Sequence, residues 1–398
     1  MSRRMLELLG IIANHDNFRP FGNREVRKDL LGLPSEDPGI KRAIDAVVGW
    51  LCRAQNNSAS HDGGVASHFS LLTGWSTSYP EATGYVVPTI LACARLYNDE
   101  ALRQRARRML DWLVSIQYLD GAFQGGLVDS KPLVPVTFNT SQILLGLAAG
   151  VREFGGDYRR AMCRAADWLV ETQDPDGCWR KYPTPFAAQG EKTYETHGAW
   201  ALLEAARVEP DKAYVDAALA NVQFALSLQR ENGWFDKCCL TDPSKPLTHT
   251  LGYALRGVIE AYRFTDDPSL LQAAVRTGDG LLTALRDDGF LAGRLYANWR
   301  PAVRWACLTG SVQIAHCWLM LYQYTREVKY RDAGYVVNRY VRRTMRIDGP
   351  PETRGAIKGS FPVYVGYRAY EYLSWGCKFF IDANLLEKTI RELESNAF

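Results

Sequence analysis

The chain lacks any apolar run approaching the roughly 18–20 residues needed to cross a bilayer. Its first residues, Met1 to Asp16, hold a short apolar stretch followed by charge and Asn, not by a small-residue cleavage site, so no signal peptide is expected. Charge of one sign is also lacking: 47 Lys+Arg stand against 44 Asp+Glu, a formal charge of +3, which excludes a supercharged nucleic-acid binder. Charged residues are only 23% and hydrophobic residues 47%, too apolar for a disordered chain. The nine cysteines are odd in number and show no C-x-x-C pair. Cys93 and Cys317 lie among apolar helical residues, and buried reduced thiols in a cytoplasmic protein are the expectation. A phosphate-cradling glycine loop, a dinucleotide fingerprint and a G-x-S-x-G elbow are all missing. No cofactor or metal is therefore expected.

Aromatic residues are plentiful: 11 Trp, 20 Tyr and 15 Phe make up 12% of the chain. Such a surplus goes to a large core, to a ligand cleft walled with rings, or to both. Internal repeats decide the architecture. Gln117, Gln173 and Gln229 are 56 residues apart, and so are Gly121, Gly177 and Gly233, with Gly289 continuing the step. Trp112, Trp168 and Phe224 repeat at the same interval within the preceding amphipathic stretches. Looser copies are Gln55 through Asp62-Gly63-Gly64 and Arg346-Ile-Asp-Gly349, making six units.

Each unit has room for two helices. Helical periodicity predicts one set at about 40–56, 99–118, 157–174, 211–230, 268–286 and 328–346, and a second at 80–97, 138–154, 194–208, 249–265, 309–326 and 370–389. Glycine ends the first helix of a unit sharply because it takes left-handed backbone without a side-chain penalty. The predicted fold is all-α, an (α/α)6 toroid of six helical hairpins over 39–398, with 1–38 as an N-terminal extension. An open solenoid is the alternative. Closure is favoured because neither end carries a polar capping repeat.

Gln173-Asp-Pro-Asp-Gly177-Cys-Trp179 resembles the Q-x3-G-x-W repeat of terpenoid cyclases, and similar D-G-x-[WF] turns occur in six-hairpin carbohydrate-active enzymes. The span 40–389 is similar to that α/α-toroid superfamily. Tyr79-Pro-Glu-Ala-Thr-Gly-Tyr85, Lys358-Gly-Ser-Phe-Pro and Trp375-Gly-Cys-Lys-Phe-Phe380 resemble proteins encoded in bacterial surface-polysaccharide gene clusters. That likeness implies a glycan context and brings no catalytic residues with it.

In a closed toroid the second helices form the inner ring, and their N-terminal ends line one mouth. The segments there contain Tyr79, Glu81 and Tyr85, then Asn139, then Tyr194, Glu195 and His197, then His249. Helix capping explains Thr140 and Thr250; four titratable groups at one mouth exceed what capping needs. The fifth and sixth loops add Arg294, Tyr296, Trp299, Arg300, Arg304 and Trp305, then Lys358, Tyr364, Tyr367, Arg368 and Tyr370. Residues 294–305 hold three arginines and no acid, and guanidinium pairs with carboxylate while rings stack on sugars. An anionic oligo- or polysaccharide partner, such as a uronic-acid glycan, is the expectation.

Three chemistries fit. The first, and the expectation, is epimerase- or lyase-type proton abstraction beside a uronyl carboxylate. His249 or His197 is the base, Glu81 and Glu195 are orienting or alternative acid/base groups, Tyr364 or Tyr367 is the proton donor, and Arg300 and Arg304 are the carboxylate clamps. The second is glycoside hydrolysis by Glu81 and Glu195. The third is terpenoid cyclisation, for which the acidic D-x-D-D motif is absent. A glycan-binding pseudoenzyme is the non-catalytic alternative. Pro80 places Glu81 in the first turn of an inner helix, whose positive end is expected to lower its pKa; at the start of another, His249 is expected to stay neutral.

Overall fold

The computed structural model describes residues 22–187 and 190–396. The reading of Met1 to Asp16 lies outside these residues.

A short helix, α1 (Gly22–Leu30), precedes twelve others. The outer set is α2 (Ile40–Asn56), α4 (Glu100–Ser115), α6 (Arg159–Glu171), α8 (Lys212–Ser227), α10 (Pro268–Leu282) and α12 (Val328–Thr344). The inner set is α3 (Pro80–Tyr97), α5 (Thr137–Phe154), α7 (Thr196–Ala206), α9 (Thr248–Thr265), α11 (Leu308–Thr325) and α13 (Ser374–Ser395). Each inner helix packs on the next, and α13 packs back on α3 and α2, so the ring closes. The outer helices bury one face. The inner helices are buried over nearly their whole first three turns, which is why they read as almost uniformly apolar.

The repeated glutamine and glycine have one job. Gln117 Nε2 donates to Gly121 O (3.0 Å) and to Ala161 O of α6 (2.9 Å); Gln173 does the same with Gly177 (3.0 Å) and Ala217 of α8 (2.8 Å). Gln55 and Gln229 make equivalent bridges to α4 and α10. Each side chain thus staples its own turn to the next outer helix. Gly121, Gly177, Gly233 and Gly289 all have φ between +82° and +100° and lie against the backbone of the next outer helix, with no room for a Cβ. Thr83 and Thr140 accept from Val65 N (2.9 Å) and Phe123 N (3.0 Å), pinning the residues two past each turn glycine to the inner ring. These threonines bind loops instead of capping helices.

Two features depart from expectation. In the sixth unit the residue packed this way is Gly355 (φ +81°), against Ala46 of α2, and not Gly349. The last inner helix begins at Ser374, because Tyr370 takes φ +64° and residues 371–373 form a strand. That strand, β5 (Glu371–Leu373), pairs antiparallel with β1 (His68–Ser70), which also pairs with β2 (Gly74–Trp75). The ladder joins first and last units at the seam. A second pair, β3 (Ala306–Cys307) with β4 (Ser360–Phe361), links the fifth and sixth loops.

Helix α1 and the loop that follows it are tied to the sixth unit. Asp29 pairs with Lys358 and accepts from Val363 N (2.7 Å), Glu25 pairs with Arg346 (2.9 Å), and Asp37 with Arg342 (2.8 Å). No helix among the described residues is long and apolar enough to cross a membrane.

Candidate active site

The N-terminal ends of α3, α5 and α9, with the loops before α7 and α13, enclose a cavity of about 360 Å³. Its wall is rich in aromatic rings, among them Tyr79, Tyr85, Phe138, Tyr194, Tyr253, Tyr367 and Trp375. Glu81 and His249 face into it, and His68, Arg368 and Glu371 line its rim.

Glu81 sits in the first turn of α3, after Pro80. The Tyr79 hydroxyl donates to its Oε2, and the Tyr85 hydroxyl also donates to the carboxylate. Burial nevertheless pushes its pKa up to about 7, against the smaller pull of those two donors. This corrects the lowered pKa expected from the helix start: loss of hydration outweighs the dipole. Glu195 lies just before α7 and is raised further, to about 8, by burial, with Lys192 opposing and Glu81 adding to the rise. Its Oε2 has no hydrogen-bond partner, and neither has Asn139 Nδ2.

Both histidines are held through Nδ1 by a glutamine of a neighbouring inner helix. His249 Nδ1 is 2.6 Å from Gln313 Oε1, and His197 Nδ1 is 2.7 Å from Gln142 Oε1. Gln142 Nε2 donates to Ser141 Oγ (3.0 Å), so its oxygen faces His197 and Nδ1 carries the proton. Burial lowers His249 to about 4, partly offset by Gln313, and lowers His197 further, with help from Lys378 and Arg256. Both rings are therefore neutral at pH 7, as expected for His249. His249 packs on Tyr253 (ring centroids 4.5 Å) and Tyr367 (5.6 Å). His197 also packs on Tyr253, at 4.5 Å, and is fully buried and not among the cavity residues.

At the rim, Arg368 pairs with Glu371 and approaches His68 Nδ1 (3.0 Å). Burial, then Arg368, depresses His68 to about 3.

The structure thus brings together Glu81, His249, Tyr79, Tyr85, Tyr194 and Tyr367, with Asn139, Glu195 and His197 beside them. The 294–305 loop is not on the cavity. Arg300 and Arg304 are exposed, Tyr296 is 45% exposed, and Arg294 donates to Lys245 O (2.8 Å). Trp299 packs on Trp234 (5.1 Å) and Trp305 in a small cluster with Leu247 and Cys307. Lys358 is consumed by its buried pair with Asp29. Tyr364 and Tyr370 pack against the core and are not among the cavity residues. The clamp expected of Arg300 and Arg304 is absent from the cavity; its wall has Arg368 instead.

Sequence reasoning passed over Tyr253, Phe138, Gln142, Gln313, His68 and Glu371. Three carried a signal. Tyr253 follows His249 by one helical turn and shares its face, and Gln142 directly precedes the apolar run Ile143-Leu144-Leu145 while Gln313 lies between Val312 and Ile314. Among the described residues no three His, Cys, Asp or Glu side chains are grouped to hold a metal.

The ring and its cavity can be set against known proteins. The chain is similar over 89% of its length, and 98% of the other's, to an unsaturated glucuronyl hydrolase specific for heparin, with a TM-score of 0.71 at 16% identity. The chain has the fold of the α/α-toroid superfamily. Other toroids give similar agreement. Cellobiose 2-epimerase from Bacillus thermoamylovorans B4167 reaches a TM-score of 0.66 at 13% identity, covering 92% of this chain and 99% of that one. A D-mannose isomerase reaches 0.70 at 10% identity, covering 88% and 97%. Residues 81–259 match the family described as the squalene-hopene cyclase C-terminal domain, the stretch that holds the regular copies of the repeat. No curated protein sequence matches the chain.

Proposed function

We propose that the protein is a carbohydrate-active enzyme that moves protons on a sugar bound in the tyrosine-lined cavity. The observation that carries this reading is the pairing of Glu81, which holds its proton up to about pH 7, with His249, which is neutral above about pH 4. An acid and a base, both in their working forms near neutrality, share one largely apolar cavity. His249 takes a proton from a carbon beside the sugar's carbonyl or carboxylate. Glu81 returns one, with Tyr79 and Tyr85 steadying its carboxyl. Ring faces of Tyr253, Tyr367 and Trp375 supply stacking surface.

Such chemistry gives epimerisation, isomerisation or elimination. Arg368 is the wall cation suited to a substrate carboxylate, so uronic-acid oligosaccharides are the first substrates to test, and neutral disaccharides the second. Hydrolysis is the second reading. It is favoured by Glu195, which feels the charge of Glu81 and keeps an unpartnered oxygen.

Incubation with each sugar in D2O separates these outcomes. Deuterium on the reacting carbon with no chain cleavage supports epimerisation or isomerisation, an unsaturated chromophore elimination, and new reducing ends without chromophore hydrolysis. The His249→Ala protein is expected to lose at least about 100-fold in turnover while folding normally. Full activity in that variant would overturn the assignment.

A further inference from the structure

The toroid has a second recess at its opposite end, where the C-termini of the inner helices emerge. Its volume is about 490 Å³, ample for a sugar-sized molecule. Five cations reach it: Arg152, Arg207, Arg256, Arg263 and Lys378. Three carboxylates answer them, and every oxygen of those three is engaged. Glu204 accepts from Trp200 Nε1 (3.2 Å) and pairs with Arg207 and Arg152. Glu260, wholly buried beneath, takes Arg256 (2.7 Å) on one oxygen and Arg263 (3.4 Å) on the other. Asp382 takes Lys378 (2.6 Å) and the Thr89 hydroxyl (2.7 Å).

Every carboxylate oxygen thus already has a partner, while the guanidiniums keep spare N–H donors, and five cations face three carboxylates, an excess of two positive charges. Helix ends explain part of this. Arg152 and Arg263 lie in the last turns of α5 and α9, and Arg207 caps α7, where cations suit the negative end of the dipole. That account fails for the two deepest cations. Arg256 lies mid-way along α9, and Lys378 lies near the start of α13, where the dipole disfavours an ammonium. Lys378 is only 2% exposed, and its ammonium, with three N–H donors, has one carboxylate, Asp382, beside it. Arg256 stacks on Trp200 (4.4 Å to the ring centroid), and its third nitrogen, NH1, meets only the His316 imidazole, at 3.2 Å. A neutral imidazole is a weak partner for a buried guanidinium beside an open cavity.

We propose that this recess is a second binding site, for a small molecule carrying an oxyanion group, carboxylate or phosphate, seated among Arg152, Arg256, Arg263 and Lys378 with Trp200 as its flat wall. The site is separate from the tyrosine-lined cavity, although Tyr85 touches both.

The test is calorimetric titration of the full chain with inorganic phosphate and with glucuronate at fixed ionic strength. Arg152 and Arg263 are about half exposed, so the Arg152→Gln/Arg263→Gln protein is expected to fold. Saturable binding of at least one anion, weakened tenfold or more in that double variant and unchanged in His249→Ala, supports the site. Phosphate alone binding assigns a phosphorylated ligand, glucuronate alone a sugar acid, and both a general oxyanion site. Absence of heat with both anions overturns it. So does binding that survives the double variant, or that is lost in His249→Ala, which would put the anion in the other cavity.

Discussion

Replacing Glu81 by Gln tests the electrostatics of the cavity without requiring a substrate. The pKa of Glu81 is raised from 4.5 to about 7 by burial. At about 1.4 kcal/mol per unit, ionising it in the folded protein costs about 3 kcal/mol relative to the unfolded chain. The folded carboxyl keeps its proton where the unfolded one has lost it. The stability tied to this group is therefore full below about pH 4.5 and is lost as pH rises through 7. Gln keeps an acceptor for the Tyr79 hydroxyl and cannot ionise. Between pH 5 and pH 8 wild type should lose at least about 2.5 kcal/mol more unfolding free energy than Glu81→Gln, because removing the Glu81 charge also relaxes the rise at Glu195. Urea unfolding at the two pH values measures this directly. Parallel pH dependences in the two proteins would show that the carboxyl is hydrated and ionised in the folded state, and the acid role would fall with it.

Other substitutions probe the frame and the limits of the site. Gly177→Ala meets both φ +85° and the Ala220 backbone, and should cost more than about 2 kcal/mol, whereas Gly155→Ala, at φ +79° in open space, should cost about 1 kcal/mol by thermal unfolding. Asp29→Asn leaves the Lys358 ammonium buried without its carboxylate and should destabilise by about 3–5 kcal/mol. Arg300→Glu and Arg304→Glu, exposed and off the cavity, should change stability by less than about 0.5 kcal/mol and leave turnover on the true substrate intact. With substrate in hand, kcat/KM should rise as His249 deprotonates near pH 4 and fall as Glu81 ionises near pH 7; an acidic limb near the ordinary histidine value would contradict the buried neutral imidazole.

The frame was readable because one physical unit is repeated. A glutamine stapling a glycine turn to the next helix must recur at the same interval as the helices themselves, so Gln117, Gln173 and Gln229 disclosed the ring before any helix was assigned. The sixth turn escaped because Asp348-Gly349 imitates the motif while Gly355 makes the contact with α2. Local sequence cannot say which glycine reaches a helix some 300 residues away. Glu81 and His249 were readable because a position at an inner helix start is also a position at the mouth. The arginines of 294–304 were misplaced for the converse reason. Charge clustered along a loop does not reveal which side of the loop faces inward. Here Trp299 turns its ring onto Trp234 and Gly280, and the neighbouring arginines are exposed.

The site also shows which of two general effects prevails when they oppose. A helix start favours a carboxylate by about 0.3–1 kcal/mol at an exposed position, and by up to about 2 kcal/mol when partly buried. At Glu81 that preference and two tyrosine donors together fail to offset the loss of water, and the carboxyl stays protonated to about pH 7. For His249 burial and helix start act in the same direction, both disfavouring the cation, and the ring goes to about 4. One dry, ring-lined cavity therefore moves an acid up and a base down. The pH interval in which the two neutral forms coexist is wide because the inner ring of helices excludes water from both.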